Sequence, residues 1–256
     1  MIGPKDSIPA ARWAEKLREP FALREGDGFL YRPPARRGAT ASLAWIFDRD
    51  PDAALRRACD RAEADGAATL YVGGPPGNYL VSGADERDAP WFRARGFAEG
   101  SAHVDLVVDA RAARPDARVV RPEDVDGALA WVELGFGVHW RAEAARAASR
   151  DGLWVTRDDE GVAGFVAIGG NNADAGTFGP VGVAPRARGR GLGEALTGTA
   201  LHALAAEGFA EVTVPWVEAG TARFYARVAT VLREVRRVRL ARRFPANERR
   251  EGGAIA

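Results

Sequence analysis

A glycine-rich turn in the second half of the chain is the segment best suited to chemistry. It runs from Arg188 to Gly193, directly between a predicted strand and a predicted helix that begins at Leu192. A helix N-terminus presents backbone N–H groups without intrahelical partners and carries about half a positive charge. Glycines let the backbone approach an anion closely, and Arg188 and Arg190 add charged, forked donors. The segment therefore predicts a cradle for a pyrophosphate.

Two common nucleotide-binding patterns do not fit this turn. The dinucleotide fingerprint needs G-x-G-x-x-G and an acidic residue about 20 positions further on. Here the spacing is G-x-G-x-G, and the next predicted strand, Glu211–Trp216, offers no clean acid for a ribose. The P-loop needs a lysine after its glycines, but the only lysines are Lys5 and Lys16. A different pyrophosphate carrier is therefore expected.

The longer pattern Val-x-Val-x-Pro-x-x-Arg-x-x-Gly-x-Gly, from Val181 to Gly193, resembles motif A of the GCN5-related N-acetyltransferases (GNAT). In that family the motif cradles the pyrophosphate of coenzyme A, so the resemblance implies acetyl-CoA as cosubstrate. Backbone groups at Val181 and Val183 would pair with the pantetheine amides like an added strand. The slot would lie between Thr177–Val183 and its splayed partner, Glu211–Trp216. The implied cofactor-binding residues are Val181, Gly182, Val183, Arg188, Gly189, Arg190, Gly191, Leu192, Gly193 and Glu194.

A second match to the family lies on the predicted short helix Thr221–Arg227. The pair Phe224-Tyr225 resembles the late GNAT motif, which implies a Tyr225 hydroxyl near the sulfur of the cofactor. A tyrosine, with an ordinary pKa near 10, can donate a proton to a departing thiolate. The alternative is a tyrosine that only packs the helix onto the sheet. The chain departs from the family at Glu218, where asparagine is common, and at Val228–Val231, where Gly-Phe is usual.

The general base for the incoming amine is left open among Glu133, His139 and Glu218. A carboxylate or histidine is the usual base, acting directly or through water. Each of the three could instead be a solvated or capping residue. An aromatic acceptor pocket could be built from Trp131, Trp140 and Trp216, although such residues are more often core.

The elements that must position these residues predict an α/β fold with a mixed, mostly antiparallel central sheet flanked by helices. Predicted strands are Gly28–Arg32, Ala39–Phe47, Thr69–Val72, Ala102–Val108, Arg118–Val120, Gly152–Arg157, Gly161–Ile168, Gly176–Ala184, Glu211–Trp216 and Val231–Ala241. Predicted helices are Asp52–Asp65, Asp88–Arg95, Glu123–Leu134, Arg141–Ser149, Leu192–Glu207 and Thr221–Arg227.

Nearly the whole chain resembles two tandem GNAT-like domains, strongly from about residue 118 to 241 and loosely from about 28 to 108. The resemblance divides it into a degenerate first domain, residues 1–112, and a catalytic domain, residues 113–256. At the place of the cradle, the first half has Phe47–Asp52, with three carboxylates and no glycine. Those acids would repel a phosphate, so the first domain is expected to be structural or to wall the acceptor pocket.

Composition excludes several other classes. A net charge of +1 over 256 residues argues against a chain that is globally a nucleic-acid binder. The arginine-rich stretch Arg223–Arg243 is interpreted as a solvated face on an edge strand.

Apolar stretches are too short for a membrane helix and no signal-peptide core is present, which favours a cytoplasmic protein. Cys59 is the only cysteine, and the three histidines are scattered, so no metal site is expected.

The first hypothesis is an acetyl-CoA-dependent N-acetyltransferase in which an amine of a small molecule or protein attacks the thioester directly. The alternative is a non-catalytic protein that binds or senses acyl-CoA. A third option is an RNA-associated protein that uses the arginine-rich strand. The acceptor and the oligomeric state stay open, with a homodimer among the options.

Overall fold

The computed structural model describes residues 24–26, 28–73 and 82–245. The strands are β1 Arg24–Gly26, β2 Phe29–Arg32, β3 Thr40–Ile46, β4 Thr69–Val72, β5 Ala84–Asp85, β6 Ala98–Asp109, β7 Leu153–Asp158, β8 Gly161–Ile168, β9 Phe178–Val183, β10 Glu211–Val217 and β11 Thr230–Arg243. The helices are α1 Pro51–Ala64, α2 Ala89–Arg93, α3 Val125–Phe136, α4 Val138–Ala148, α5 Leu192–Ala206 and α6 Ala219–Val228.

Helix α1 shows how the local sequence determines these elements. The Asp50 side chain accepts a hydrogen bond from the Ala53 backbone N–H at 2.9 Å, and Pro51 occupies the first turn, where its missing N–H costs nothing. Its buried residues recur at helical spacing and face the sheet. Asp124 caps α3 in the same way, by accepting from Gly127 N–H at 2.9 Å.

The strands form two sheets. The larger has the order β1-β2-β3-β4-β11-β6-β10, with β5 also paired to β11, and the smaller has the order β7-β8-β9. Among the named pairs only β3–β4 is parallel. One parallel bridge, Thr177 to Thr213, joins β9 to β10, after which the two strands diverge. The predicted mixed, mostly antiparallel sheet flanked by helices is confirmed.

The two halves of the chain exchange strands. Strand β6, from the first half, lies between β10 and β11 of the second half, and β11 in turn pairs with β4 of the first half. The first hydrophobic core packs α1 against β2, β3 and β4, and Val238 and Leu240 on β11 belong to it. The second core packs α5 against β10 and β6, and includes Leu106 and Val108 on β6. One sheet therefore crosses the predicted boundary between residues 112 and 113, and that boundary stays a prediction.

Two expectations about strands were wrong. The arginine-rich strand is not an edge strand, because β11 is hydrogen-bonded on both sides, to β6 and to β4. Its sequence looked like an edge because arginines alternate with apolar residues, but those apolar residues are needed by the first core. The predicted strand Arg118–Val120 is reduced to a single bridge between Val120 and Val155. Within the described residues no helix is both long and apolar enough to cross a membrane.

Candidate active site

A cavity of about 1040 Å³ opens where β9 and β10 diverge. Strand β9 and the turn before α5 form one wall, the end of β10 and helix α6 form the other, and α4 closes one end. Backbone that separates from its neighbour in a sheet leaves N–H and C=O groups available to a ligand. Val181, Gly182 and Val183, predicted from sequence to contact the cofactor, all line this cavity.

The start of α5 is built to receive an anion. Gly191 is the N-cap residue, and no side chain caps the helix there. The first intrahelical bond is from Ala195 N–H to the Gly191 carbonyl at 3.0 Å, so the preceding amides of Leu192, Gly193 and Glu194 have no partner within the helix. These amides and the helix dipole favour a negative charge at this point.

The turn before α5 needs its glycines. Gly189 and Gly191 have φ of +75° and +73°, a left-handed backbone that L side chains rarely adopt. A Cβ built on either residue would meet no atom within 4 Å. The space above the turn is therefore open, and a side chain there would occupy the volume that the helix start offers to a phosphate group. The residues present fit the diphosphate of a coenzyme A.

The two predicted arginines have different positions. Arg188 lines the cavity, and its Nε lies 3.4 Å from the Val183 carbonyl oxygen. Arg190 is not among the lining residues and lies 3.7 Å from Asp158, which also accepts from Arg186. The side-chain bond from Arg186 is the main cause of the lowered pKa of Asp158. Only Arg188 of the predicted pair points its charge at the slot.

Tyr225 lies on α6 at the cavity wall. Its ring meets Phe178 edge-on, with centroids 6.0 Å apart, and Phe224 with centroids 5.0 Å apart. Burial among these rings raises the pKa of Tyr225 to about 12. The hydroxyl is therefore fully protonated at neutral pH and is available as a proton donor inside the slot.

Helix α4 and the end of α3 close the other end of the cavity. Phe136 and Trp140 both line it and stack on each other, with centroids 5.0 Å apart and planes at 9°. His139 is exposed and lines the cavity beside them. Trp131 instead packs on Phe136 and Phe165 within the core.

Comparison with known proteins identifies the second half of the chain. Residues 149–228, from just before β7 to the end of α6, match the family model described as an acetyltransferase (GNAT) domain. This segment is a GNAT domain. Proteins of the GNAT family are acetyltransferases that use acetyl-CoA. No curated protein sequence matches the chain.

Solved structures of the same fold extend over both halves. A tandem GNAT protein from the clavulanic acid biosynthesis pathway has a TM-score of 0.65 at 16% identity, over 95% of this chain and 91% of that one. A GCN5-related N-acetyltransferase from Sphaerobacter thermophilus has a TM-score of 0.58 at 17% identity, over 84% and 76%. A glucosamine N-acetyltransferase region of a fungal multi-domain β-N-acetylglucosaminidase has a TM-score of 0.64 at 17% identity, over 90% and 36%, so this chain spans about a third of the fungal one.

The candidate bases are not all brought to the GNAT cavity. Glu218 lines it, and its backbone carbonyl accepts from Thr221 N–H at 2.9 Å at the start of α6. Glu133 is not among the lining residues; it is half exposed and forms an ion pair with Arg141 at 2.9 Å. Helix α3 turns Glu133 outward because the buried residues of that helix are Ala128, Leu129 and Val132.

Two cavity residues of the GNAT domain were missed by the sequence analysis. Glu143 is only 6% exposed and lines the cavity one helical turn after His139. The spacing of His139 and Glu143, i and i+4, was the available signal for a shared face. Arg227 also lines the cavity and pairs with Glu194 at 3.3 Å. It stood in an arginine-rich stretch that looked like a solvated face.

No comparable site exists at the start of α1 in the first half. Asp48 accepts from Asp50 N–H, which is the main cause of its lowered pKa, and also pairs with Arg57. Asp52 pairs with Arg95, which lowers the pKa of that carboxyl. Asp50 already caps the helix. The described residues contain no group of three or more His, Cys, Asp or Glu side chains that could hold a metal ion.

Proposed function

We propose that the chain is an acetyl-CoA-dependent N-acetyltransferase that moves an acetyl group to an amine. The observation that carries the proposal is the uncapped start of α5, with two left-handed glycines before it, opening into a cavity that the partly buried Tyr225 also lines. The domain assignment to residues 1–112 and 113–256 is part of this proposal, with the site in the second domain.

Binding is assigned to the turn and to the edge of β9. The amides of Leu192, Gly193 and Glu194 hold the diphosphate, with Arg188 beside them and the backbone of Gly189 and Gly191 allowing close approach. Arg190 acts at a distance, because its side chain lies 3.7 Å from Asp158. The exposed backbone of Val181, Gly182 and Val183 extends the sheet toward the pantetheine arm.

Acetyl-CoA, when bound, supplies an acetyl group on a thioester. Tyr225 holds a proton at its hydroxyl oxygen for the sulfur that departs, and its pKa of about 12 keeps that proton in place at neutral pH. The enzyme must also accept a proton from the attacking amine. Glu218 and His139, both exposed at the cavity wall, are the groups assigned to that role; Glu133 is not, because it faces away.

The activity is tested by release of free thiol from acetyl-CoA in the presence of a panel of primary amines. The matched variants are Gly189→Ala and Gly38→Ala, since the two glycines have φ of +75° and +76° and neither Cβ would meet an atom within 4 Å. Both substitutions carry the same backbone strain, about 1 kcal/mol. Only Gly189→Ala is expected to raise the KM for acetyl-CoA, by about tenfold. Equal behaviour of the two variants, or no thiol release with any amine, contradicts the proposal.

A further inference from the structure

Strand β10 has one more residue than its partner β6 where the two strands reach the cavity. Val214 is paired with Leu106 of β6, and Val217 is paired with Val104, so the register shifts by one residue between them. Pro215 and Trp216 therefore both stand opposite Asp105. Pro215 has no N–H for the ladder, and such residues are confined to edges and bulges. The extra residue is a β-bulge, a feature that re-aims the strand.

The backbone at this bulge is held in a conformation that its residue disfavours. Trp216 has φ of +60°, in the left-handed region. A bulky residue there is an outlier that persists only when its surroundings over-determine it. The Trp216 side chain lies flat on His103, with ring centroids 4.7 Å apart and planes at 3°.

Asp105 supplies the determining contact. Its Oδ1 accepts a hydrogen bond from the Trp216 backbone N–H at 3.1 Å, which takes the place of a ladder bond. The carboxylate is itself fixed from two other sides: Ser82 Oγ donates at 2.7 Å, and Arg237 Nε donates to Oδ2 at 3.0 Å. Asp105 is 5% exposed and the Arg237 side chain 13%, so this ion pair is screened little by water.

The bulge determines two features of the cavity. Pro215 and Trp216 line it directly, on the wall opposite β9. Two residues later Glu218 begins α6, the helix that carries Tyr225. The direction in which β10 leaves the sheet therefore determines both the width of the slot and the position of the hydroxyl in it.

We propose that Asp105, on a strand of the first half, is a positioning residue for the site of the second half: its carboxylate holds the Trp216 peptide in the left-handed conformation and so keeps the slot open to the cofactor. The part that concerns the cofactor rests on the proposed function. The first half then contributes to binding without touching the ligand, through β6.

The test compares two proteins of equal charge whose residue 105 has the same number and branching of side-chain heavy atoms. Arg237→Met is introduced in both, so that no buried charge is left without its partner. To this are added Asp105→Asn, which keeps an oxygen to accept from Trp216 N–H, or Asp105→Leu, which does not. Both are labelled with fluorotryptophan, and the Trp216 resonance, one of seven, is assigned by its loss in Trp216→Phe.

The asparagine protein is expected to keep the wild-type Trp216 resonance and to bind CoA within about threefold of wild type. The leucine protein should show a shifted or broadened Trp216 resonance, with the other tryptophans unchanged, and bind CoA at least tenfold more weakly at the same cooperative melting. An identical Trp216 resonance in the two proteins overturns the proposal. If the resonance behaves as expected but wild type takes up no CoA, the proposed function fails while the positioning role of Asp105 stands.

A gentler variant keeps the test decisive if the leucine protein does not fold. Ser82→Ala removes one bond to the carboxylate and is matched by Ser101→Ala, an exposed serine on β6. Ser82→Ala is expected to shift the Trp216 resonance and weaken CoA binding about threefold, with no change for Ser101→Ala. Equal spectra for these two variants contradict the role of Asp105.

Discussion

Helix α1 lies between strands β3 and β4 of the chain and α5 between β9 and β10, and the two helices differ in what meets their first amides. At α1, Asp50 accepts from Ala53 N–H, and Asp48 and Asp52 stand beside it, each with an arginine partner. At α5, Gly191 leaves the amides uncapped. The first helical amides are thus bonded within the chain in one half and left available to a ligand in the other. A helix N-terminus can bind an anion when no side chain of the protein caps its first amides.

Substitution of Tyr225 should have a larger effect on the rate of acetyl transfer than any other change, and Tyr31 of the first half is its control. Tyr225→Phe is expected to lower the rate of acetyl transfer by about 1,000-fold while CoA affinity stays within about twofold, because only the proton donor is lost. Tyr31→Phe, which removes the hydrogen bond from a buried tyrosine to Asp65 in the first core, should cost about 1 kcal/mol of stability and leave the rate unchanged. Thiol-release kinetics and calorimetry measure both.

An unchanged rate in Tyr225→Phe would remove Tyr225 from the mechanism. If the wild-type protein bound CoA but acetylated no amine, it would be a CoA-binding protein without catalytic activity.

A second substitution places an aspartate at the N-cap position of α5, as α1 has Asp50 at its own. Gly191→Asp places a carboxylate at the open helix start, where it competes with a diphosphate for the same amides and repels it. CoA affinity is expected to fall about 100-fold, or about 2.7 kcal/mol, while the melting temperature falls no further than in Gly38→Asp, which carries the same backbone strain. Gly38→Asp, at a left-handed glycine of the first half, is the control. Retention of CoA binding by Gly191→Asp would show that the diphosphate lies elsewhere.

Arg188 is expected to contribute more to CoA binding than Arg190 or Arg57. Arg188→Gln should weaken CoA binding about tenfold and reduce its dependence on salt, because Arg188 lines the cavity. Arg190→Gln and Arg57→Gln should change it by no more than about twofold, since Asp158 and Asp48 already engage those side chains. Equal losses for Arg188→Gln and Arg190→Gln in calorimetry would contradict this assignment.

The smallest effect is a difference in how the two regions respond to pH. Burial raises the pKa of Tyr225 from 10 to about 12, so its contribution to stability is complete below pH 10 and is lost as pH rises through 12. The pKa of Asp52 is lowered, so its contribution is complete above pH 3.8 and is lost as pH falls through the folded-state pKa. Tyr225→Phe should flatten the alkaline fall in melting temperature, and Asp52→Asn the acid one. If Tyr225→Phe changed the acid side of the melting profile and Asp52→Asn the alkaline side, both explanations would be contradicted.

The glycine-rich turn before α5 could be predicted from sequence because its signals are local; its role in binding the cofactor stays a prediction. Glycines, a strand before them and a helix after them are close in the chain, and the structure places Arg188–Glu194 at one helix start. The strand exchange could not be predicted in this way. Val238 and Leu240 complete a core more than 100 residues earlier in the chain, and nothing in β11 itself specifies that partner. The β10 bulge had one local signal, Pro215 within a strand pattern.

Calorimetric titration of the protein with CoA and with pantetheine, which lacks the diphosphate and the 3′-phosphoadenosine attached to it, measures whether the start of α5 binds the cofactor. The proposed function assigns the diphosphate to the amides at the start of α5, so CoA should bind at one site per chain and pantetheine at least 100-fold more weakly. Equal affinity for the two compounds, or no binding of CoA, would contradict the account.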